Sequence, residues 1–447
     1  MPLNLSYFPG VLRRRSKFFS TSTCRIAAVA LFSVLAVPLN GQSVTTVALL
    51  APLTTYVNLV PASSGKFYGI LSTGNINSCD LGCGTIFELS PNSDGSWNQA
   101  TLHTFTGADG AWPAAGIIID SAGNIFGTTY YGGSTYGSSS GPCITYGCGA
   151  VFELSPQAQG VWKETVLYNF TGGKDGWSPT GLAFGPSGSL VGTTIYGGST
   201  TSCSPGCGLV FQLEQETGGT WKESVLHSFP GGAAGQNPVG MTLDSSGDIL
   251  GTAGGGLNQC WAGYCGIVFK LSHSATGWQG SVVHSFHGSD GAQPNPSLTL
   301  DSAGNIYGTT YEGGNERTAC APVGCGVVFE LSLKNGVWKE SILHGFADQA
   351  DGEFPTDGLA LDAQGNIYGG TSNGGQIADC NPLVYGACGQ IFVLSSKSGA
   401  WRVREEIPSP GWDTPVGALV VASSGRVFGA SCDEYYDSGG YIFEITF

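Results

Sequence analysis

Short segments in which apolar and polar residues alternate recur along the whole chain, and no stretch shows a helical period. One segment is GTIFELS at Gly84, which returns as GVVFELS at Gly326 and GYIFEIT at Gly440, with seven copies in all. Alternation with period two is typical of a β-strand with one buried face. A second element, an aromatic or aliphatic residue followed by glycine, also has seven copies, and its fullest form is GNIYGTTYEGG at Gly304. The pattern therefore predicts many short strands.

These elements return at a regular interval. The glycine of the second element stands at Gly69, Gly127, Gly192, Gly251, Gly308, Gly369 and Gly429, so six intervals cover 360 residues and average 60. Two further elements have six copies: a tryptophan leading an alternating segment such as WKESILHGF, and an apolar stretch such as GLALD before an Asp-x-x-Gly-Asn turn. Each repeat thus holds four strands joined by turn residues. Such repeats are typical of a β-propeller.

The two ends of the chain set the number of blades. VNLVPASSGKFYG at Val57 aligns with GLALDAQGNIYG, which places Gly65 on Gly365, and SVTTVALLAP precedes it. We predict an all-β fold over residues 42–447, a propeller of seven four-stranded blades. Two C-terminal strands, near 427–431 and 441–447, and two N-terminal strands, near 44–60, would close the last blade and remove its open edges. An open stack of seven β-units is the structural alternative. The strand that begins at the repeated Tyr-Gly is expected to be the innermost.

The N-terminus is predicted to be a secretory signal peptide over residues 1–41. Five basic residues precede an apolar run over 26–39, which is too short for a comfortable membrane span. A buried helix or a signal anchor is the alternative. Removing those five from 17 basic residues leaves 12 against 32 Asp and Glu, a net charge of −20. Such a surface repels phosphate backbones, so we expect no nucleic-acid partner and no membrane span after cleavage.

Composition agrees with strands rather than helices, because the chain has 72 glycines and glycine weakens helix interiors. Twelve of the 14 cysteines form close pairs at one place in the repeat, and we predict six disulfides for an exported chain. The pairs are Cys79/Cys83, Cys143/Cys148, Cys203/Cys207, Cys260/Cys265, Cys320/Cys325 and Cys380/Cys388. A zinc site is disfavoured because no histidine lies in these loops. Cys432 lacks a partner and is predicted to be a buried inert thiol or a reactive one.

The repeated string of Gly-x-x-Phe-Glu-Leu-Ser, Trp-x-Glu-x-x-Leu-x-x-Phe, Gly-x-Asp-Gly and Gly-Asn-x-Tyr-Gly-Thr-Thr-x-x-Gly-Gly resembles the GloVer tandem repeat of exported bacterial proteins. The resemblance covers nearly all of the chain after the predicted signal peptide. It implies an extracellular or cell-surface location. No catalytic activity is assigned to that family, so the resemblance implies no active-site residue.

Histidines recur at one repeat position, His103, His227, His284 and His344, where Tyr168 takes the place of a fifth. Equivalent residues of different blades point apart and cannot converge on one metal, so we predict that they pack between blades, as the repeated tryptophans do. His273 and His287 are off this pattern and are predicted to be exposed. Single carboxylates in the Asp turns fall short of a calcium site, although calcium at one or two loops stays open. No cofactor and no metal are predicted.

Departures from the repeat are the better guide to function, because packing explains the regular positions. Propeller ligands are expected at the mouth of the central channel, where concave sites gather polar groups. After the repeated Tyr-Gly-Thr-Thr the blades diverge, to Tyr130, Tyr131, Tyr196, Tyr311, Glu312, Asp433, Glu434 and Tyr435. Tyrosines with carboxylates suit a glycan or a peptide. The alternative is that these side chains only fill the channel.

Two hypotheses follow. The first is a non-enzymatic, monomeric propeller, secreted or at the bacterial cell surface, that binds a glycan or a surface protein through its channel mouth or its stapled loops. The second is a hydrolase or lyase that acts on a polysaccharide or lactone through Glu312, Asp433 and Glu434.

Overall fold

The computed structural model describes residues 43–49, 57–72, 82–138, 141, 143, 145–200, 202–261, 263–275, 277–315, 320–347, 351–374, 389–397, 400–408, 414–422, 424–432 and 440–446. Strands make up most of them, with four single turns of 3₁₀ helix at Ser63–Gly65, Ala158–Gly160, Pro186–Gly188 and Gly232–Ala234. Within these ranges, no helix is long and apolar enough to cross a membrane. The predicted signal peptide lies outside them.

Seven antiparallel sheets form the blades of a propeller, as predicted, and the strands are numbered in chain order. Blade 1 holds β2 (Val57–Pro61), β3 (Phe67–Leu71), β4 (Thr85–Pro91) and β5 (Trp97–Thr104). Blade 2 holds β6 (Ala111–Ile119), β7 (Ile125–Tyr131), β8 (Ala150–Pro156) and β9 (Trp162–Asn169). Blade 3 holds β10 (Trp177–Phe184), β11 (Leu190–Tyr196), β12 (Leu209–Gln215) and β13 (Trp221–Ser228).

The next blades keep the same order with small additions. Blade 4 holds β14 (Gln236–Leu243), β15 (Ile249–Gly254), β18 (Ile267–Ser274) and β19 (Gly277–Ser285), with a hairpin of β16 (Gln259–Cys260) and β17 (Gly263–Tyr264). In blades 5 and 6 the first strand is broken into two pieces. Blade 5 holds β20 (Ala292–Pro294), β21 (Thr299–Leu300), β22 (Ile306–Glu312), β23 (Val327–Lys334) and β24 (Val337–Gly345). Blade 6 holds β25 (Glu353–Pro355), β26 (Ala360–Leu361), β27 (Ile367–Asn373), β28 (Gln390–Lys397) and β29 (Ala400–Pro408).

Blade 7 joins the two ends of the chain. It holds β30 (Thr414–Val421), β31 (Val427–Cys432), β32 (Gly440–Thr446) and, as its fourth strand, β1 (Ser43–Leu49), which pairs with β32. Closure by both termini is confirmed, but the predicted share of two strands each is wrong. Three strands are C-terminal and one is N-terminal, because β2 pairs with β3 and so begins blade 1.

The innermost strand of each blade is the one before the Tyr-Gly strand. A Cβ added to Gly240 would overlap the carbonyl oxygen of Pro296, and one added to Gly417 would overlap that of Val57. The first strands of neighbouring blades therefore touch around the axis, which only small residues allow. Fourth strands, in contrast, alternate exposed and half-buried residues. The prediction that the Tyr-Gly strand is innermost is wrong, since sequence order alone does not reveal which edge of a sheet faces the axis.

The two sevenfold sequence elements meet inside each blade. The glycine of the Tyr-Gly strand lies opposite the phenylalanine of the next strand, and a Cβ on Gly308 would lie 2.6 Å from Cζ of Phe329. The same pairing recurs in all seven blades: Gly69/Phe87, Gly127/Phe152, Gly192/Phe211, Gly251/Phe269, Gly308/Phe329, Gly369/Phe392 and Gly429/Phe443. Each ring is buried, and burying such a side chain stabilises the fold by about 1.5–3 kcal/mol. These glycines are thus required by the rings that cover them.

Aromatic residues also join neighbouring blades. Phe105, which follows the fourth strand of blade 1, packs edge-on against Phe152 of blade 2 with ring centroids 5.1 Å apart. Trp97 of blade 1 contacts Phe428 of blade 7 at 5.6 Å, and Trp162 of blade 2 contacts a ring of blade 1. The predicted role of the repeated tryptophans in packing between blades is confirmed by these contacts.

Candidate functional site

The ring has two faces with different chemistry. On the face called here the stapled face lie the connections from second to third strands, which carry the cysteine pairs, and those that lead into the next blade. The opposite face carries tight turns such as the one at Asp301. Its carboxylate accepts hydrogen bonds from the backbone amides of Ala303 and Asn305, both at 2.9 Å, and from the side chains of Asn305 and Tyr307. Turn formation therefore accounts for the aspartates of that face.

Four of the predicted disulfides are present in the described ranges, namely Cys143–Cys148, Cys203–Cys207, Cys260–Cys265 and Cys320–Cys325. Cys83 is also disulfide-bonded, whereas Cys79, Cys380, Cys388 and the side chain of Cys432 lie outside the described part of the chain. Disulfide sulfurs offer no thiolate for zinc, so these four pairs act as staples. They indicate an oxidising environment.

Each stapled loop docks on the first strand of the next blade. The amide of Ser178 donates to the carbonyl oxygen of Cys148 at 2.9 Å, and a Cβ on Gly149 would lie 2.6 Å from Cδ of Pro179. Ser178 has a positive φ, as do the equivalent residues Trp112, Asn237, Gln293 and Phe354, with values between 51° and 56°. A non-glycine residue in this region costs about 1 kcal/mol or more, so the docked loop has to hold it there. As a result, each of blades 2 to 6 places one side chain beside the end of its second strand.

In blade 2 this position is aromatic, and in blade 3 the residue before it is; the residues around both are aromatic too. Trp112 lies 5.4 Å from Tyr131 between ring centroids, Tyr131 lies 4.6 Å from Tyr130 and 5.5 Å from Tyr146, and Trp177 stacks on Tyr196 at 4.5 Å. We call the following residues the aromatic arc: Trp112, Tyr130, Tyr131, Tyr146, Trp177 and Tyr196. They come from the first and second strands of two blades and from one stapled loop.

The aromatic arc has a buried floor and an accessible rim. Tyr130 and Trp177 are buried, the rings of Trp112, Tyr131 and Tyr196 are half-buried, and Tyr146 is 50% exposed. The indole Nε1 of Trp112 donates to the carbonyl oxygen of Gly82 at 3.1 Å, which fixes that ring. Among the described residues, the indole Nε1 of Trp177 has no hydrogen-bond partner. The rim is thus a preformed apolar surface with a hydrogen-bond donor below it.

The phenols of Tyr130 and Tyr131 stay neutral at physiological pH. Burial, with a smaller effect from Tyr196 and Tyr146, raises the pKa of Tyr131 to about 12. Burial also raises the pKa of Tyr130 well above its usual range. A neutral phenol both donates and accepts hydrogen bonds. The arc can therefore recognise hydroxyl groups without presenting charge.

The equivalent positions of blades 4 and 5 are more polar. Asn237 of blade 4 is buried and donates through Nδ2 to the carbonyl oxygen of Ile195 at 2.9 Å. In blade 5, Gln293 donates through Nε2 to Oε2 of Glu312 at 2.8 Å. Tyr311 of blade 5 stacks on Phe354, the equivalent residue of blade 6, at 5.1 Å. The larger aromatic group thus lies on blades 2 and 3, and a single aromatic pair lies between blades 5 and 6.

The structure brings five of the predicted site residues to the stapled face, Tyr130, Tyr131, Tyr196, Tyr311 and Glu312, at the ends of second strands. Asp433, Glu434 and Tyr435 lie outside the described residues. Sequence reasoning missed Trp112, Trp177 and Phe354, which sit at the start of first strands. The available signal was an aromatic residue one or two positions before the repeated proline, as in Trp112-Pro113, Trp177-Ser178-Pro179 and Phe354-Pro355.

The recurring histidines act between blades, as predicted, and they lie on the fourth strand of each blade, which is the third strand when a repeat is counted from its Tyr-Gly strand as in the sequence prediction. Nε2 of His103 lies 3.0 Å from Oδ2 of Asp109, in the connection to blade 2. In blade 2, Tyr168 donates to Oδ2 of Asp175 at 3.2 Å. Burial and Asp175 together raise the pKa of Glu223, on the next blade, to about 7. Each of these clusters closes the outer part of an interface between blades.

A family model described as the Gloeobacter/Verrucomicrobia repeat matches residues 133–376 and 258–447. Comparison with curated protein sequences gives no match. The extracellular domain of a one-component system from B. thetaiotaomicron has a TM-score of 0.50 at 10% identity, over 89% of this chain and 40% of that one. A Lactobacillus plantarum protein also has a TM-score of 0.50, at 13% identity, over 81% of this chain and 87% of that one. These likenesses concern the fold alone.

Proposed function

The chain belongs to the Gloeobacter/Verrucomicrobia repeat family, and from that premise we propose that it is an exported bacterial propeller that binds a neutral carbohydrate on its stapled face. The observation that carries this proposal is the aromatic arc. Its rim presents the rings of Trp112, Tyr131, Tyr146 and Tyr196 to solvent without closing over them. Contiguous aromatic rings that stay accessible to solvent are typical of a binding site.

Carbohydrate fits the chemistry of the arc. Sugar rings have apolar faces that pack on aromatic rings, and their hydroxyls exchange hydrogen bonds with phenols and indole N–H groups. The phenol of Tyr146, a residue that is 50% exposed at the rim, can exchange such a hydrogen bond with a sugar hydroxyl. A protein partner would need about 800 Å² on each side, which is broader than a rim of four rings.

Charge favours a neutral ligand over an acidic one. The chain carries 32 acidic against 17 basic residues, and the carboxylate of Glu312 lies at the same face. A surface of this sign repels uronic acids and sulfated sugars. We therefore expect neutral oligosaccharides to bind more tightly than their acidic counterparts.

Binding without turnover is the function we propose, and cleavage is the alternative. Glu312 is the one described member of the predicted catalytic set, and its Oε2 already accepts a hydrogen bond from Gln293. That bond favours a positioning role over proton transfer. Turnover that is lost in a Glu312→Gln variant would establish the alternative and overturn the binding-only proposal.

Export is part of the proposal and rests on the disulfides and on the predicted signal peptide. Mass spectrometry of the chain recovered outside bacterial cells should show an N-terminus after about residue 41 and no free thiols at the four described pairs. Retention of the intact chain in the cytoplasm with reduced cysteines would contradict it.

The binding test exchanges arc residues for those that the chain itself uses elsewhere. Trp112→Asn copies Asn237, which holds the same φ, and Tyr131→Asn copies Asn373 at the equivalent end of blade 6. We expect the double variant to lose at least tenfold in affinity for the neutral oligosaccharide that a glycan array selects, while circular dichroism at the assay temperature shows that it remains folded.

The matched control is Trp261→Ala, which removes an indole that is 72% exposed on the hairpin of blade 4. This control should bind as the wild type does. Three results would refute the proposal. Trp261→Ala could lose as much affinity as the double variant, the double variant could bind as tightly as the wild type, or the glycan array could yield no sugar ligand.

A further inference from the structure

A second cluster of functional groups lies where blade 4 meets blade 5. His284 is on β19, His287 and Asp290 are in the connection that follows it, and Glu340 is on β24 of blade 5. His287 is one of the two histidines that are off the repeat pattern, and it is exposed as predicted. The cluster therefore combines a regular inter-blade position with an irregular one.

The donor atoms of this cluster converge. Oδ2 of Asp290 lies 3.3 Å from Nε2 of His284 and 3.1 Å from Nδ1 of His287. These three atoms all lie within 4.8 Å of one another, and Oε2 of Glu340 lies 3.6 Å from Nε2 of His284. Tetrahedral zinc with ligands at about 2.0–2.1 Å separates its donors by about 3.3–3.4 Å. The two distances to Asp290, 3.1 and 3.3 Å, are close to that value.

Hydrogen bonding within the protein leaves part of this cluster unsatisfied. Among the described residues, Nε2 of His284 makes no well-directed hydrogen bond although carboxylates stand beside it. Oε1 of Glu340 is also buried without a partner, but so are the equivalent oxygens of Glu164 and Glu223 at other interfaces, so it does not mark this site. Buried polar atoms without partners are rare, and a cation held by His284, His287 and Asp290 would satisfy Nε2 of His284.

The equivalent interface between blades 1 and 2 shows what is special here. It has His103, Asp109 and Glu164 in the same places, but Thr106 stands where blade 4 has His287. Thr106 donates to Oδ1 of Asp109 through its amide and its hydroxyl, at 2.8 and 2.9 Å. That interface has one imidazole and a fully engaged carboxylate oxygen, so it lacks the donor set.

We propose that His284, His287 and Asp290 bind one divalent transition-metal ion of the zinc type, with a water molecule in the fourth position. Two imidazoles and one carboxylate are a donor set that suits zinc better than calcium or magnesium, which take oxygen ligands. The ion would join the last strand of blade 4 to the connection that leads into blade 5. It is a structural staple on the outer part of the ring, separate from the aromatic arc.

The test uses Zn²⁺ and Co²⁺ alone on the oxidised full-length protein after removal of metal with a chelator. We expect one equivalent of Zn²⁺, the intense visible absorption of four-coordinate Co²⁺, and a higher melting temperature with metal. His287→Thr copies the blade 1 interface and should weaken Zn²⁺ binding more than about tenfold. Mutation of a residue that only orients a metal ligand already lowers metal affinity by about tenfold or more, and loss of the ligand itself should lower it at least as much. It should also abolish the Co²⁺ band.

The reciprocal variant is Thr106→His, which adds the missing imidazole to the interface between blades 1 and 2. It should bind a second equivalent of Zn²⁺. Circular dichroism without metal checks that both variants fold, which is expected because His287 and Thr106 are exposed. Wild-type affinity in His287→Thr, no Zn²⁺ binding at micromolar concentrations in the wild type, or no second equivalent in Thr106→His would overturn the proposal.

Discussion

The aromatic arc of blades 2 and 3 and the same positions of blade 4 share one backbone and differ in their side chains. Trp112 and Asn237 have φ values of 56° and 51°, and each amide donates to the carbonyl oxygen of the cysteine in the preceding stapled loop. Opposite the first strand, blade 2 ends in Tyr131 where blade 4 ends in Gly254. The docked loop therefore fixes the backbone at this point, and the side chain can differ between blades without changing the fold.

The largest expected effect concerns the shared frame. Gly240→Ala in blade 4 should destabilise the fold by about 3 kcal/mol, because overpacking has this size where neither backbone can yield. The added Cβ would overlap the carbonyl oxygen of Pro296 near the axis. Urea denaturation measures the change. Gly345→Ala is the control, since nothing lies within 4 Å of its Cβ, and a loss as large in Gly345→Ala would contradict the close packing of first strands.

An intermediate effect concerns the arc itself. Tyr196→Asn gives blade 3 the residue that blade 6 carries at Asn373. It removes the ring that stacks on Trp177, and affinity for the sugar should fall by about tenfold, the size typical of one aromatic anchor. Isothermal titration measures the affinity. An unchanged dissociation constant would show that the difference between the blades has no role in binding.

The smallest expected effect concerns the interface between blades 2 and 3 and depends on pH. The pKa of Glu223 is raised to about 7 from its usual value near 4.5, so the folded state prefers the protonated carboxyl. This contribution to stability is fully present below pH 4.5 and is lost as the pH rises through about 7. Glu223→Gln mimics the protonated form. It should stabilise the protein by about 1 kcal/mol at pH 8. This is less than the free energy that corresponds to one pKa unit, because the side chain of Glu223 keeps partial contact with solvent, which screens its charge.

Thermal melts at pH 8 and pH 4.5 measure this difference, and Glu216→Gln on the surface is the control. The neighbours of Glu223 that carry charge or titrate are Asp175 and Tyr168. Equal changes at both pH values would show that burial of the carboxyl does not set its protonation.

Much of the fold follows from the sequence because packing repeats in every blade. The pairing of Gly308 with Phe329 and its six equivalents made both elements visible as sevenfold patterns. The disulfides followed from cysteine spacing. The order of strands from the axis outward did not follow, because it depends on contacts between blades, such as that of Gly240 with Pro296, that are distant along the chain.

The candidate site was predicted in part. Tyr130, Tyr131 and Tyr196 stood out as departures from the repeated Tyr-Gly-Thr-Thr strand. Trp112 and Trp177 did not, because their place beside those tyrosines depends on a loop from the preceding blade that sets a positive φ or buries the ring. The convergence of His287 on His284 likewise needs the fold of the connection between blades. Local sequence marks which residues are unusual, and tertiary contacts decide which of them meet.

The most direct test of the carbohydrate proposal follows the tryptophan side-chain N–H signals by NMR during titration with the selected neutral oligosaccharide. We expect the signals of Trp112 and Trp177 to shift together and to saturate as oligosaccharide is added, while the signal of Trp261 does not move. Saturable shifts confined to Trp261, or binding that leaves both Trp112 and Trp177 unchanged, would contradict it.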